Sequence, residues 1–203
     1  MGLTPGLVEA QVVAYTGRRG KYVAMASIEL CHTYQLTEEQ LDAVRQLLLD
    51  SFPLGVTEDD FYNALGGIHA LARGESGVLL AHGSVVPRRM FHQGRSIRTG
   101  YVEAVAVAAN SRRQGLGSAI MDSIEHVIAG AYEMGALSAS RDGAQLYAGR
   151  AWQAWRGTTS VVSPFGGIVR TPDDDDSVQV LVISATLDRD GDLACDWRNG
   201  DVW

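Results

Sequence analysis

The stretch YVEAVAVAANSRRQGLGSAIM, residues 101–121, restricts the possible folds more than any other part of the chain. It opens on an apolar, β-branched run that predicts a strand, and this strand carries one carboxylate, Glu103. Two arginines and the pair Gly115 and Gly117 follow, and apolar residues then recur at helical spacing. The segment therefore predicts a strand, a glycine-rich turn and a long helix in direct succession.

The glycine-rich turn can be compared with the known phosphate-binding motifs. A P-loop requires a lysine after its last glycine, and none follows here; a dinucleotide fingerprint requires a third glycine where Ile120 stands. A helix N-terminus nevertheless offers free main-chain N–H groups and the positive end of the helix dipole, and Arg112 and Arg113 add charge. We expect a phosphate-bearing cofactor over residues 112–118. The alternative is an ordinary strand-to-helix turn with two surface arginines.

The rest of the chain predicts an α/β fold with a mixed sheet in one domain, residues 23–203. Residues 1–22 are weakly patterned, and we expect a flexible N-terminal extension there. The first half is expected to contain a strand at 23–32, a helix capped by Thr37, and a short helix at 58–65 with a capping box of Thr57 and Asp60. Two strands joined at Gly74–Gly77 and the strand of Glu103 follow. The second half is expected to contain the long helix with Gly135 as C-cap, a strand at 136–140, a short helix at 142–150, and strands at 151–157 and 177–185.

Composition excludes several classes of function. A formal net charge of −7 argues against nucleic acid and suits a cationic small molecule. No apolar run approaches the roughly 20 residues that span a bilayer, so we expect no membrane association. Cys31 and Cys195 lie far apart, which favours reduced thiols in a cytoplasmic protein, and the five histidines lack metal-ligand spacing, so no metal is expected.

Arg112-x-x-Gly115-x-Gly117 after an apolar strand resembles the cofactor motif of the GNAT superfamily of N-acetyltransferases. Within that superfamily, the chain resembles the aminoglycoside 2′-N-acetyltransferases from about residue 27 to its last residue. The segments that carry this resemblance are LGGIHAL (65–71), GYVEAVAV (100–107), GALSAS (135–140), LYAGRAW (146–152), RTPDDD (170–175) and CDWRNGDVW (195–203).

The resemblance implies a GNAT fold, in which a mixed central sheet with flanking helices is splayed between two parallel strands. Here these are the strands of Val105–Val107 and Leu137–Ala139. It also implies acetyl-CoA as cosubstrate, with its pantetheine along the exposed strand. The residues expected to bind acetyl-CoA are Val105, Ala106, Val107, Arg112, Arg113, Gln114, Gly115, Leu116, Gly117 and Ser118.

Two residues are candidates for the chemistry. An attacking amine must first lose a proton, and Glu103 is the best base because an apolar strand raises its pKa. From spacing alone, a buried acid paired with Arg88, Arg89 or Arg98 is an equal alternative, and the resemblance favours the base. By resemblance, Tyr147 is the acid that protonates the departing CoA thiolate.

The resemblance further implies a pocket for a polycationic aminoglycoside. The residues expected to bind it are Asp60, Glu103, Ala104, Ser138, Asp173, Asp201 and Trp203 with its terminal carboxylate. Gly55 stands where relatives carry an aspartate, so one contact is missing or supplied by Glu58 or Asp59. A homodimer is expected. The rival functions are acetylation of another amine (a polyamine, a cell-wall precursor or a peptide) and acetyl-CoA binding without turnover.

Overall fold

The structure is a computed structural model that describes residues 26–52, 55–140 and 143–203. The expected N-terminal extension lies outside the described residues, as do the first residues of the strand expected at 23–32. The remainder of that strand is β1, Ser27–His32.

The first half of the chain folds as the local sequence signals predict. Its elements are β1, α1 (Glu38–Ser51), α2 (Glu58–Asn63), β2 (Ile68–Arg73), β3 (Leu79–His92) and β4 (Arg95–Val107). Thr37 and Gln40 form a capping box at the start of α1, and Thr57 and Asp60 form the expected one at α2. These side chains satisfy main-chain N–H groups that a helix start leaves free, which is why both boundaries are readable locally.

The second half contains shorter elements. They are α3 (Leu116–Ala131), β5 (Met134–Ser138), α4 (Ala144–Tyr147), β6 (Gln153–Ala154), β7 (Thr159–Ser163), β8 (Gly167–Arg170), β9 (Val178–Val182) and β10 (Leu193–Asp196). The expectation that Gly135 caps α3 was wrong. The last helical residue is Ala131, and the C-cap is Tyr132, whose backbone is extended. Gly135 lies inside β5 opposite Gly100. A Cβ atom on Gly135 would lie 2.9 Å from the ring of Trp152, so this glycine serves close packing.

The described strands form one mixed sheet in the order β6-β9-β5-β4-β3-β10-β7-β8, and β1 and β2 join it through β3. β3 can serve two neighbours because it is long. Its first half pairs with β2 and its second half with β10. The parallel pairs are β4 with β5 and β10 with β7.

The sheet splays where the sequence resemblance places the opening. Parallel pairing of β4 with β5 begins at Thr99–Met134 and ends at Tyr101–Ala136. Beyond that point β4 continues beside β3 as far as Val107, and β5 continues beside β9 as far as Ser138. The two strands therefore separate, and the second half of β4 presents an edge without a strand partner on that side.

Helices cover both faces of the sheet and fix the sides of this opening. On one face, α3 packs Ile120, Ile124 and Ile128 against β2, β3 and β4, and α1 and α2 cover the other face with Val44, Leu48 and Phe61. The C-terminal strands enclose a further cluster that contains Tyr101, Trp155 and Trp203. None of the described helices has the length and hydropathy needed to cross a membrane.

Candidate active site

A cleft of about 780 Å³ lies between the separated strands, the start of α3 and the C-terminal segment. The sequence-predicted residues that line it are Asp60, Glu103, Ala104, Val105, Ala106, Val107, Arg112, Arg113, Gly115, Gly117, Ser118, Ser138, Tyr147 and Trp203. Gly55, which stands at the departure from the family pattern, also lines it. The fold thus brings most of the expected cofactor and substrate residues to one cavity.

The start of α3 forms one end of the cleft. Gly115 has φ +89°, a left-handed conformation that favours glycine, and no side chain caps the helix there. The main-chain N–H groups of the first turn therefore have no partner within the helix, and Arg112 and Arg113 are exposed beside them. A Cβ atom on Gly117 would lie 3.4 Å from Leu146, so the helix start lies close to α4. This end of the cleft is suited to an anion.

Two of the predicted cofactor residues do not point into the cleft. Leu116 is the first residue of α3, and its side chain is buried in the core. Only its main chain faces the free end of the helix. The Gln114 side chain turns back and donates to the Asn110 carbonyl at 3.1 Å.

Glu103 lies on the wall of the cleft and is paired with an arginine, but not with one of the arginines that spacing suggested. Its carboxylate accepts a hydrogen bond from Arg198, and the two side chains are 14% and 13% exposed. Burial raises the pKa of Glu103, and the Arg198 guanidinium offsets part of that rise. Glu103 is therefore both a paired acid and an acid with a raised pKa beside the cleft.

The pairing of Glu103 with Arg198 corrects the alternative that named Arg88, Arg89 or Arg98 as its partner. Arg88 is buried and donates from Nε to the Asp196 carboxylate at 2.8 Å and from Nη1 to the Val202 carbonyl at 2.8 Å. The Arg89 main-chain N–H donates to Asp196, and Arg98 pairs with Glu133 at 3.6 Å.

The C-terminal segment, residues 197–203, folds back over the cleft. Arg198 donates to the main-chain oxygens of Asp201 at 2.6 Å and Trp203 at 3.0 Å, so the same guanidinium that holds Glu103 also shapes this segment. The Trp203 side chain is buried, and its indole N–H donates to Thr171 at 2.9 Å. Gly200 passes so close to α2 that an added Cβ would lie 2.6 Å from Asp59.

The acidic residues expected to bind substrate differ in how they lie relative to the cleft. Asp60 lines the cleft while its carboxylate caps α2 through Thr57, at 2.7 Å from the main-chain nitrogen. Asp173 and Asp201 are exposed and do not line the cavity itself. Asp174 lies near both, and its partial burial together with Asp201 raises its pKa to about 6. Asp174 and Asp201 therefore repel each other when both are ionised, and a cation bound beside them would relieve this repulsion.

Tyr147 is held in the cleft by contacts between α4 and α3. Arg150 donates to the Ser118 carbonyl at 2.7 Å and to Asp122 and Glu125 at 2.8 Å each. The Trp152 indole donates to Glu125 at 2.7 Å and its ring packs near Tyr147. Burial raises the pKa of Tyr147 to about 12, so the phenol keeps its proton at neutral pH.

Comparison with known proteins identifies the family. Residues 32–152 match the acetyltransferase (GNAT) domain family. The chain belongs to the GNAT acetyltransferases. It is also 43% identical over 178 residues to a protein of Mycolicibacterium fortuitum named aminoglycoside 2'-N-acetyltransferase, covering 86% of this chain and 90% of that one. The chain is therefore an acetyltransferase, and its resemblance to this group of enzymes is confirmed.

Solved structures confirm the GNAT fold. Escherichia coli ElaA superposes with a TM-score of 0.54 at 15% identity, covering 77% of this chain and 99% of that one. A GCN5-related N-acetyltransferase from Kribbella flavida has the same TM-score at 20% identity, covering 68% of this chain and 36% of that protein. GNAT acetyltransferases use acetyl-CoA.

Cys31 and Cys195 do not line the cleft. Cys31 and Cys195 are free and buried, and burial raises the pKa of each thiol to about 11. Among the described residues, no group of three or more histidine, cysteine or acidic side chains is placed to hold a metal ion.

The sequence did not reveal three residues that organise the site. Arg198 lies 95 positions from Glu103, and its signal was the single cation within the acidic motif CDWRNGDVW. Arg150 was visible only as a member of the motif LYAGRAW. Asp174 is one of four consecutive aspartates, residues 173–176, and nothing local distinguishes it from its neighbours.

Proposed function

We propose that the protein transfers the acetyl group of acetyl-CoA to the 2′-amino group of aminoglycosides and thereby confers resistance to them. The observation that carries the proposal is that one cleft is lined by the bare start of α3, by Glu103 and by Tyr147. The name of the 43% identical relative supports the choice of acceptor.

For acetyl-CoA, the proposal assigns the diphosphate to the start of α3, over residues 112–118. The pantetheine would lie along the unpaired edge of β4 at residues 105–107, since polar main-chain groups there can bond to its amides as an added strand would. Of these residues, Leu116 would take part through its main chain, because its side chain is buried.

For chemistry, Glu103 accepts a proton from the substrate ammonium, directly or through a water molecule. The free amine nitrogen then attacks the thioester carbonyl carbon, a C–N bond forms, the C–S bond breaks, and the nitrogen releases its second proton to solvent. The departing CoA thiolate takes its proton from the Tyr147 phenol, which regains one from solvent. The products are the acetylated antibiotic and free CoA thiol.

For recognition, the proposal places the amino groups of the antibiotic among Asp60, Asp173, Asp201 and the Trp203 end of the chain. Ser138 lines the cleft near its own partner Ser177, and Ala104 contributes main-chain groups. Charge-assisted hydrogen bonds to several carboxylates favour a polycation over a singly charged amine. The exposed positions of Asp173 and Asp201 fit contacts to the outer ring of a bound sugar.

A thiol-release assay with acetyl-CoA tests the proposal. The panel pairs aminoglycosides that carry a 2′-amine with matched compounds that carry a 2′-hydroxyl, and adds polyamines, amino-sugar cell-wall precursors and peptides. We expect release only with the 2′-amino compounds, and a raised inhibitory concentration for those compounds in a susceptible host. Faster release with another amine, or binding of acetyl-CoA without release, would replace the proposal by the corresponding rival.

The proposal includes a cytoplasmic location and a homodimer. Acetyl-CoA as donor and two free, buried thiols support the first. Light scattering on the purified protein tests the second.

A further inference from the structure

A β-bulge interrupts β4 at the active site. Ser84 of β3 pairs with Glu103 and His82 pairs with Ala106, so Gly83 alone faces both Ala104 and Val105. Ala104 has φ +53°, a left-handed conformation that an alanine adopts only where its surroundings hold it.

The bulge decides which way the site residues face. Before it, Val102 packs with α3, and Tyr101 and Glu103 lie on the opposite face, where Arg198 contacts both. After it, Val105 and Val107 pack on the α3 side while Ala104 and Ala106 pack with α1. The alternation of side chains therefore shifts by one residue between Glu103 and Val105. Without the bulge, the faces of all later residues would reverse.

A chain of buried hydrogen bonds holds the bulge from the β3 side. His82 Nδ1 lies 2.9 Å from the Ala104 carbonyl oxygen, His82 Nε2 lies 2.9 Å from His69 Nδ1, and His69 Nε2 lies 2.8 Å from the Thr33 hydroxyl. Both histidine side chains are fully buried.

The acceptor at the end of this chain fixes its direction. A carbonyl oxygen only accepts, so His82 Nδ1 carries a proton and His82 Nε2 accepts one. His69 Nδ1 then donates, and His69 Nε2 accepts from the Thr33 hydroxyl. Burial lowers the pKa of His82 to about 3 and of His69 to about 4, so both rings are neutral wherever the enzyme would work.

We propose that His82, oriented by His69, is a positioning residue for acetyl transfer. Its Nδ1–H holds the Ala104 carbonyl and thereby keeps Glu103 facing the acceptor and residues 105–107 facing acetyl-CoA. This inference rests on the proposed function, because only acetyl transfer needs both groups placed at once. It assigns no chemical step to either histidine.

The main test compares His82→Leu with His82→Asn. Leucine fills much of the ring's space without a donor, whereas the asparagine Nδ2 can donate from the place of His82 Nδ1. We expect His82→Leu to bind acetyl-CoA more weakly and to lose about 10–100-fold in kcat/KM, with the larger part in kcat, because small misplacements of reacting groups have effects of this size. His82→Asn should recover most of both losses.

His92→Leu is the matched control. His92 is also buried and bonds through Nδ1 to a carbonyl, that of Asp192 at 2.8 Å, but it lies outside the cleft. Its replacement should lower Tm and leave kcat/KM unchanged at temperatures where the variant is folded. An equal loss of kcat/KM in the two leucine variants would reduce the role of His82 to stability and overturn the proposal.

Two further readouts keep the test independent of folding and of the acceptor. A long-range proton–nitrogen correlation spectrum of the wild-type enzyme should show His82 protonated at Nδ1, and protonation at Nε2 would overturn the proposal even if His82→Leu does not fold. Calorimetry with acetyl-CoA alone compares the variants without an acceptor. If the wild-type protein acetylates no aminoglycoside, the proposed function is wrong. If folded His82→Leu keeps the wild-type acetyl-CoA affinity and turnover, the positioning role of His82 is wrong.

Discussion

Arg198 and Glu103 form a buried ion pair on the wall of the cleft, although 95 positions separate them in the sequence. Burial raises the pKa of Glu103, and the Arg198 guanidinium lowers it again. The pair therefore affects how readily the proposed base is ionised. Arg88 and Asp60 face the same carboxylate, the first lowering and the second raising its pKa, but both rank below Arg198 among the charges that act on it.

Replacing Arg198 by methionine should therefore move the acidic limb of the kcat/KM profile to higher pH. An opposite charge in contact lowers a carboxyl pKa, so the loss of the Arg198 guanidinium leaves the rise caused by burial without its offset. The direction follows because the proposed mechanism requires Glu103 to be ionised in the free enzyme. Activity should fall most at low pH and partly return at high pH, as measured by steady-state rates across the pH range.

Two further variants test whether the charge of Arg198 causes this change. Arg198→Lys keeps a cation and should leave the limb close to its wild-type position. Glu103→Gln combined with Arg198→Met removes both buried charges, and it should be more stable to heat than Arg198→Met alone, which leaves Glu103 uncompensated. A folded Arg198→Met enzyme with an unshifted acidic limb would contradict this account of Glu103.

Tyr147→Phe should lower kcat by about 10²-fold or more while leaving the KM of the aminoglycoside nearly unchanged, since general acid catalysis contributes about 10²–10⁴-fold. The ring remains to pack near Trp152, so Tm should change little. Since the pKa of Tyr147 is raised to about 12, its ionisation should produce no alkaline limb within the usual assay range. Tyr132→Phe, a partly buried tyrosine outside the cleft, is the control; a wild-type kcat in Tyr147→Phe would exclude the acid role.

The parts of the fold that the sequence predicts are those determined by neighbouring residues. The capping boxes at Thr37 and Thr57 satisfy main-chain groups within a few positions, and the left-handed turn at Gly115 needs a glycine, so a single sequence displays all three features. The family resemblance predicted where β4 and β5 separate and most of the residues that line the cleft. Gly135 was misjudged because a glycine after a helix has two uses, capping and close packing. The choice between them depends on Trp152, which reaches it only in the folded protein.

The parts that could not be predicted depend on contacts between distant segments. Spacing shows that Glu103 is a lone acid in an apolar strand, but the arginine that reaches it comes from the C-terminal segment rather than from a neighbouring strand. At the bulge, the Ala104 carbonyl likewise contacts His82 of another strand, and an alanine in a strand carries no sign of a left-handed φ. The contacts that hold the candidate site residues in place are therefore the part that a single sequence does not display.

Gly55→Asp should strengthen binding of the polycationic acceptor. Gly55 lines the cleft, and a Cβ atom added there meets nothing within 4 Å, so the aspartate that relatives carry fits without strain. One exposed ion pair contributes about 0.2–1 kcal/mol, which predicts a KM lower by about 1.5- to 5-fold at low salt. The gain should fade as salt is added and be absent in Gly55→Asn. An unchanged KM in the aspartate variant at low salt would show that the acceptor does not approach this position.

The raised pKa of Asp174 predicts how its replacement changes stability with pH. Partial burial and the neighbouring Asp201 raise the pKa in the folded protein to about 6, above the ordinary value of 3.8. The folded protein therefore binds a proton between these values that the unfolded chain releases, so this group's contribution to stability falls as the pH rises through that interval. Above it, folding leaves a carboxylate ionised in an unfavourable place.

Asp174→Asn should accordingly raise Tm at about pH 8 and change it little at about pH 4, where the native carboxyl is already protonated. The gain should be on the order of 1 kcal/mol, since Asp174 is only partly buried and solvent screens its repulsion. Asp42→Asn on the exposed face of α1 controls for the change in net charge. Thermal unfolding of the three proteins at both pH values measures the difference. A gain for Asp174→Asn that is equal at the two pH values would show that packing, and not the charge of Asp174, produces it.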